Sequence, residues 1–330
     1  MIKSCWRVST FPIAKSRNNG TIIPMPLPFQ HLTSSLQLTP EVAESVFRVA
    51  WKMERLMERK GRVHLMKDKV VALLFYEASS RTMLSFQAAA QRLGAGMILS
   101  QGKNMSSLDK GESIEDTIRM VHSYADLIVM RHPEAGSAAR AAAVSNVPFI
   151  NGGDGGNEHP TQSLLDLYTL QKELGRLSNL HIAFACDPLH SRTIRSLALI
   201  LSQYPGNRFT FIGPESLKPG SEFLRVLEER RIPYGITTDL SAGTDADVLY
   251  MNRLQEERFD DHHEFERLRT IYKLTASMLQ GKNALIMDPL PRVDEIASDV
   301  DALPNAAYFR QARNGVPVRM ALLAMMLGKA

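Results

Sequence analysis

Three observations predict an α/β protein of two doubly wound domains, each with a mainly parallel sheet flanked by helices, around one cleft. Short apolar runs alternate with stretches of helical period along the body of the chain. The runs are apolar throughout rather than at every second residue, as strands covered on both faces of a parallel sheet must be. Polar and basic residues follow the runs directly, and open α/β sheets take their ligands there, outside the carboxyl ends of the strands.

The 330 residues, 44% of them hydrophobic, suffice for two domains of ordinary size. No apolar run approaches the ~18 residues of a membrane span. The net charge of +4 sits entirely at the start, where Lys3, Arg7, Lys15 and Arg17 stand before Pro28 without a single acid. The remaining bases equal the 35 acids, so the body offers no general surface for a nucleic-acid backbone. Residues 1–27, basic and hydroxyl-bearing, have the composition of a transit peptide. An upstream start or a disordered tail fits as well. The expected location is the cytoplasm, or an organelle if the leader is a targeting signal. Two cysteines, Cys5 and Cys186, make no disulfide framework and no thiolate metal site, which suits a reducing compartment.

The body opens on a helix in LTPEVAESVFRVAWKMERLMER, with Thr39 as cap, Pro40 at the first helical position and Glu41 in the first turn. Strands are predicted at 70–78, 95–101, 125–132 and 147–153, with helices over 82–93, 112–124 and 134–144 between them. The second half repeats the rhythm at 181–187, 208–214, 246–253 and 284–291. A last helix, rich in Met, Ala and Leu, is expected from about Val316 to Leu327. The predicted division is a leader over 1–27, one domain over 28–160 plus 310–330, and a second over 161–309. The border falls near His159 to Thr161.

The turn EASSRT after the first strand opens a helix. Ser79, Ser80, Arg81 and Thr82 there place hydroxyls, a guanidinium and unpaired backbone N–H groups where the helix dipole favours an anion; the plain alternative is an ordinary N-cap. Arg131 and His132 end the third strand, and GGDGGNEHPTQ follows the fourth. Asp187 to Arg192, Arg253 with Gln255, and Asp288 to Arg292 hold the matching places in the second half. A cleft lined by Arg81, Arg131, Arg192, Arg253 and Arg292, with Lys110 nearby, suits an anionic ligand pair, one phosphate and one carboxylate. The glycine turn reads as a bend that delivers His159, with Gln162 one helical turn on. No P-loop or dinucleotide fingerprint fits the glycine spacings. DDHHEFE over 260–266 reads as a solvated helix start, because neighbouring helical residues diverge; Asp245 and Asp247 are read the same way. No metal and no cofactor are expected.

EASSRTMLSF, SSLDKGES, VMRHP, NGGDGGNEHPTQSLLDL, LYMNRLQEER and PLPRVDEIASDVD, in this order and spacing, closely resemble the catalytic chain of the aspartate carbamoyltransferase family over about residues 28 to 328. The resemblance implies transfer of the carbamoyl group of carbamoyl phosphate to the amine of L-aspartate, in pyrimidine synthesis. It also implies that Ser79, Ser80, Arg81, Thr82 and Arg131 hold the phosphate and that Thr82, Arg131 and His159 polarise the carbamoyl oxygen. Gln162 and the carbonyls of Pro289 and Leu290 would bind the carbamoyl amino group, and Arg192, Arg253 and Gln255 the aspartate carboxylates. The implied assembly is a homotrimer in which Ser106 and Lys110 reach a neighbour's site; a regulatory or carbamoyl-phosphate-synthesising partner is left open.

Ornithine carbamoyltransferases match less well, since their amino-acid-binding and cysteine-containing motifs are missing. Asp288 stands where the family usually has His, Cys186 where Gly is common, and Met83 where Arg is frequent. A carboxylate at Asp288 would repel a dicarboxylate unless Arg292 or another base neutralises it. The alternatives are a paralogue acting on another amine and an idle subunit that binds carbamoyl phosphate.

Overall fold

The computed structural model describes residues 26–102, 111–254, 256, 259 and 262–330. Its ten strands form two five-stranded sheets. The first contains β1 (His31–Leu32), β2 (Val70–Phe75), β3 (Gly96–Gln101), β4 (Leu127–His132) and β5 (Phe149–Asp154), in the order β1-β5-β4-β2-β3. The second contains β6 (His181–Ala185), β7 (Arg208–Ile212), β8 (Tyr234–Thr237), β9 (Val248–Tyr250) and β10 (Leu285–Met287), in the order β10-β9-β6-β7-β8. Every strand pair is parallel. All eight predicted strands form. The two that were not foreseen lie at sheet edges: β1 is two residues long, and β8 reads YGIT with Gly235 and Ile236 exposed, so neither carries a continuous apolar run.

Nine helices among the described residues cover the sheets: α1 (Pro40–Lys60), α2 (Ser80–Leu93), α3 (Ile114–Val121), α4 (Ser137–Val144), α5 (Pro160–Leu174), α6 (Arg192–Leu201), α7 (Ser221–Glu229), α8 (His262–Ile271) and α9 (Tyr308–Met326). Thr39 caps α1 as expected, its hydroxyl accepting from the Val42 amide at 3.4 Å. The last helix corrects the sequence reading, because it begins at Tyr308 and carries Pro317 in its interior. Proline in a helix interior removes a hydrogen bond and crowds the preceding turn. Here packing against α1, α2 and α5 holds the helix together across it.

The two sheets share apolar material. Val71, Leu73 and Phe75 on one face of β2 join α1, α2 and α9 in a cluster that continues through Leu164 and Leu167 of α5 to Phe184 and Phe209 of the second sheet. The opposite face of the first sheet, with Ala72, Leu74, Ile128 and Met130, packs on α3 and α4. Ala183, Ala185 and Leu249 on the other face of the second sheet pack with Phe265 and Leu268 of α8. Both faces of each sheet are therefore dry, which is why the strand sequences are apolar at consecutive positions.

Candidate active site

The strand orders locate the site. After β2 the chain adds β3 on one side and then returns to place β4 on the other; after β6 it adds β7 and β8 on one side before crossing to β9. Such reversals open crevices between the loops at the carboxyl ends. The crevice at β2 and β4 holds residues 77–82 and Arg131, and that at β6 and β9 holds residues 190–193 with Asn252 and Arg253. Together they form one cleft of about 1000 Å³. Ser79, Ser80, Arg81, Thr82, Arg131, His159, Gln162, Arg192, Arg253, Pro289 and Leu290 all line it. Ser106, Lys110 and Gln255 lie outside the described residues.

On the first wall, Ser79 precedes α2 without a capping bond from its side chain. The first amides of a helix have no intrahelical acceptor, so this end of α2 offers donors to the cleft, unlike an ordinary capped start. Arg131 is only 7% exposed, and its Nη2 lies 2.9 Å from Glu77 Oε2. Burial, followed by the nearby Arg192, lowers its pKa to about 10. Glu77 also stands 3.7 Å from Arg192, so one carboxylate holds two guanidiniums. The glycine bend is needed here: Gly153 has φ +118°, and a Cβ on it would come within 2.8 Å of Arg131 Nη1.

His159 is 4% exposed at the start of α5, with Nε2 3.4 Å from Thr82 Oγ1 and a buried Nδ1 that finds no partner. Burial, then the charges of Arg131, Arg192 and Arg319, hold its pKa well below the usual range. The imidazole is neutral at physiological pH and can donate one hydrogen bond without bringing a charge.

The second wall is tied mainly to backbone. Arg192 Nη1 donates to the Gly155 carbonyl, and Arg253 Nη1 to its neighbour Leu254 at 3.4 Å. Arg81 crosses from the first wall to donate from Nη2 to the Leu290 carbonyl at 2.8 Å. That carbonyl belongs to a tight turn in which Asp288 Oδ1 accepts from the Leu290 amide at 2.5 Å and the Leu290–Pro291 bond is cis.

Two sequence expectations change here. Arg292 does not line the cleft; it pairs with Asp301 and lies over the rings of Tyr308 and Phe309 at 5.4 and 5.5 Å. Asp288 is buried, and burial with the neighbouring Glu295 raises its pKa, which favours its neutral form and weakens the repulsion expected of a carboxylate there.

Cys186 takes φ +86°, a backbone region that favours glycine, the residue the family resemblance leads one to expect there. The DDHHEFE helix begins at His262, which pairs with Glu256 and Glu266; Asp260 and Asp261 lie outside the described residues. Asp245 and Asp247 pair with Lys282 and Arg176. Sequence reasoning missed Glu77, whose only signal is an acid two residues before Ser79, and Gln311, which falls ahead of the expected helix start.

The chain matches two family models, "Aspartate/ornithine carbamoyltransferase, carbamoyl-P binding domain" over residues 30–172 and the "Asp/Orn binding domain" of the same family over 178–326. It is 44% identical over 301 residues to the aspartate carbamoyltransferase catalytic subunit of Leptospira biflexa, covering 91% of this chain and 97% of that one. It is 43% identical over 296 residues to the chloroplastic aspartate carbamoyltransferase of Arabidopsis thaliana, covering 88% of this chain and 76% of that one. Among solved structures it resembles aspartate transcarbamoylase from Trypanosoma cruzi in complex with carbamoyl phosphate and aspartate. The TM-score is 0.82 at 33% identity, over 89% of this chain and 94% of that one. With both lobes matched and the strand-end residues gathered in one cleft, the chain belongs to the aspartate/ornithine carbamoyltransferase family.

Proposed function

We infer that this chain transfers the carbamoyl group of carbamoyl phosphate to the amine of L-aspartate, giving N-carbamoyl-L-aspartate and phosphate for pyrimidine synthesis. The observation that carries the reading is the meeting, in one cleft, of an uncapped helix start, the buried Arg131 and the neutral His159, opposite the Pro289 and Leu290 carbonyls.

In this reading Ser79, Ser80, Arg81, Thr82 and Arg131 hold the phosphate. The amine of aspartate attacks the carbamoyl carbon as a C–N bond forms, and negative charge gathers on the carbamoyl oxygen. Thr82, Arg131 and His159 are donors fixed before the reaction begins, so they stabilise that charge without reorganising. The C–O bond to phosphorus then breaks, and the departing phosphate accepts the amine proton. The chemistry asks for no nucleophilic side chain and no metal. Gln162 with the Pro289 and Leu290 carbonyls receives the amino group of the substrate, while Arg192, Arg253 and Gln255 receive the aspartate carboxylates. The raised pKa of Asp288 is compatible with a dicarboxylate as second substrate, since it favours the neutral form of that carboxyl.

Colorimetric detection of the ureido product, with carbamoyl phosphate and a panel of amines, is the direct test. Turnover is expected with L-aspartate; turnover with another amine alone would replace the second substrate, and no binding of carbamoyl phosphate would overturn the whole reading.

The family resemblance supports a homotrimer with shared sites, Ser106 and Lys110 coming from the neighbouring subunit. Mixing Lys110→Ala with Arg81→Ala subunits then restores part of the activity, and verified mixed trimers without recovery would exclude sharing. The packing of α9 on α1 and α2 supports a carbamoyl-phosphate domain of 28–160 plus 310–330, with 161–309 as the aspartate domain. The cytoplasm is the proposed location. The leader's composition and the chloroplastic relative support an organelle instead if residues 1–27 are removed on import.

A further inference from the structure

Beneath the floor of the cleft, three elements converge on one carboxylate. Asp166 of α5 is fully buried. Its Oδ1 accepts from Gln162 Nε2 at 2.9 Å and from Gln311 Nε2 of α9 at 2.7 Å, and its Oδ2 accepts from the Tyr250 hydroxyl of β9 at 2.9 Å. Those donors favour the ionised form, although burial still holds the pKa near 7.

The chemistry of the carboxylate decides which way both amides face. Because Oδ1 accepts from both side chains, and does so whether or not Oδ2 carries a proton, each glutamine turns its NH2 toward Asp166 and its carbonyl oxygen away. For Gln311 that oxygen meets the Asp288 amide at 2.9 Å, which anchors the turn carrying the Pro289 and Leu290 carbonyls. For Gln162, which lines the cleft, the same constraint leaves an acceptor as the group available to a ligand.

We propose that Asp166 is a positioning residue for substrate choice: by fixing Gln162 and, through Gln311, the 288–290 turn, it makes this end of the cleft a pocket of acceptors that selects an acyl phosphate bearing NH2 over one bearing a methyl group. The proposal rests on the carbamoyl-transfer reading above. A carbamoyl NH2 presents two donors to Gln162 Oε1 and the two backbone carbonyls. The methyl of acetyl phosphate is of similar size and has no donor, so it leaves Gln162 Oε1 and the Pro289 carbonyl unpaired, while the Leu290 carbonyl keeps only its bond from Arg81. Sites built around a substrate N–H reject the analogue lacking it far more strongly than apolar pockets discriminate by size. Without Asp166 the Gln162 amide is free to turn over and offer its NH2 to the ligand, which suits neither molecule.

The test measures dissociation constants of carbamoyl phosphate and acetyl phosphate by calorimetry on the full chain, with folding checked by circular dichroism. The wild-type protein is expected to favour carbamoyl phosphate by roughly 100-fold, and Asp166→Ala to cut that preference by about tenfold. Asp166→Asn keeps an oxygen where both amides need one and retains the preference within about threefold. Asp166→Leu fills a similar volume without an acceptor and repeats the loss if the alanine variant does not fold.

A purely structural tie gives a different pattern, in which the alanine or leucine variant weakens both ligands equally and the ratio stands; that result overturns the proposal. So does a wild-type protein that binds both ligands alike, a measurement that requires no variant. A wild-type protein that binds no carbamoyl phosphate refutes the functional reading instead, and one that binds and transfers it while the ratio ignores Asp166 refutes only the positioning role.

Discussion

The two walls of the cleft meet anions by different means. On the first, Thr82, Arg131 and His159 are all buried, and Arg131 is fixed by the Glu77 carboxylate that also faces Arg192. On the second, the Arg192 side chain keeps 17% of its surface exposed, Arg253 is also partly exposed, and both donate to backbone carbonyls. A donor in a dry, fixed setting acts strongly on charge that develops during a reaction, because nothing has to turn toward it. One at a wetter surface discriminates by charge and shape at lower cost. Under the proposed reading the contrast divides the labour, with bond-making chemistry against the first sheet and choice of the acceptor amine against the second.

Four substitutions test that division, beginning with the largest effect. Arg131→Ala removes a buried donor and leaves Glu77 without its closest cation, so kcat should fall by about 10²–10³ at saturating substrates; a near-normal kcat would move the chemistry elsewhere. Arg253→Ala should raise KM for aspartate by roughly 10–100-fold, the worth of one charged hydrogen bond, with KM for carbamoyl phosphate little changed. Equal rises in both would erase the distinction between the walls.

Glu77→Gln keeps the shape but removes the charge shared by Arg131 and Arg192. Affinity for carbamoyl phosphate should drop about tenfold by calorimetry, even though a negative charge has been taken from an anion site. Tighter binding would show that Glu77 acts by repulsion rather than by holding the guanidiniums.

Asp288→Asn should be nearly silent in catalysis, with KM for aspartate within about twofold, because burial and Glu295 already favour the neutral form of the carboxyl it replaces. Its effect belongs to stability. The folded pKa of Asp288 is raised, so above about pH 4 the unfolded chain ionises this group while the folded chain does not, and stability falls as pH rises. Chemical denaturation of the asparagine variant should therefore show a shallower decline toward alkaline pH. An unchanged slope would mean that Asp288 is charged in the folded protein.

Legibility in the sequence followed how local each signal is. The main strands were readable because dry faces on both sides demand consecutive apolar residues, and Thr39-Pro40 marked the start of α1 by a chemistry confined to two positions. Edge strands carry less of that demand, so β1 and β8 passed unnoticed. The start expected near Val316 fell eight residues late, because only tertiary packing carries α9 from Tyr308 across Pro317. In the site, Arg81, Arg131, His159 and Arg192 could be gathered because each sits at a strand end or helix start. Gln311 could not, because its partner Asp166 lies 145 residues away and neither position belongs to a local pattern. Asp288 was visible as a departure, but its protonation depends on Glu295 and on burial, which are properties of the folded site.

The position of α9 also bears on the order in which the chain can acquire its shape during synthesis. The helix that covers α1 and α2 follows the whole second lobe in the chain, so the first lobe emerges early and must wait, with Phe86 short of Arg319 above its ring, until the second lobe has been made. Folding from the amino end forward cannot complete the first lobe. A fragment halted after Leu174 should therefore need chaperone help and aggregate without it, and supplying residues 308–330 as a separate peptide should restore its solubility.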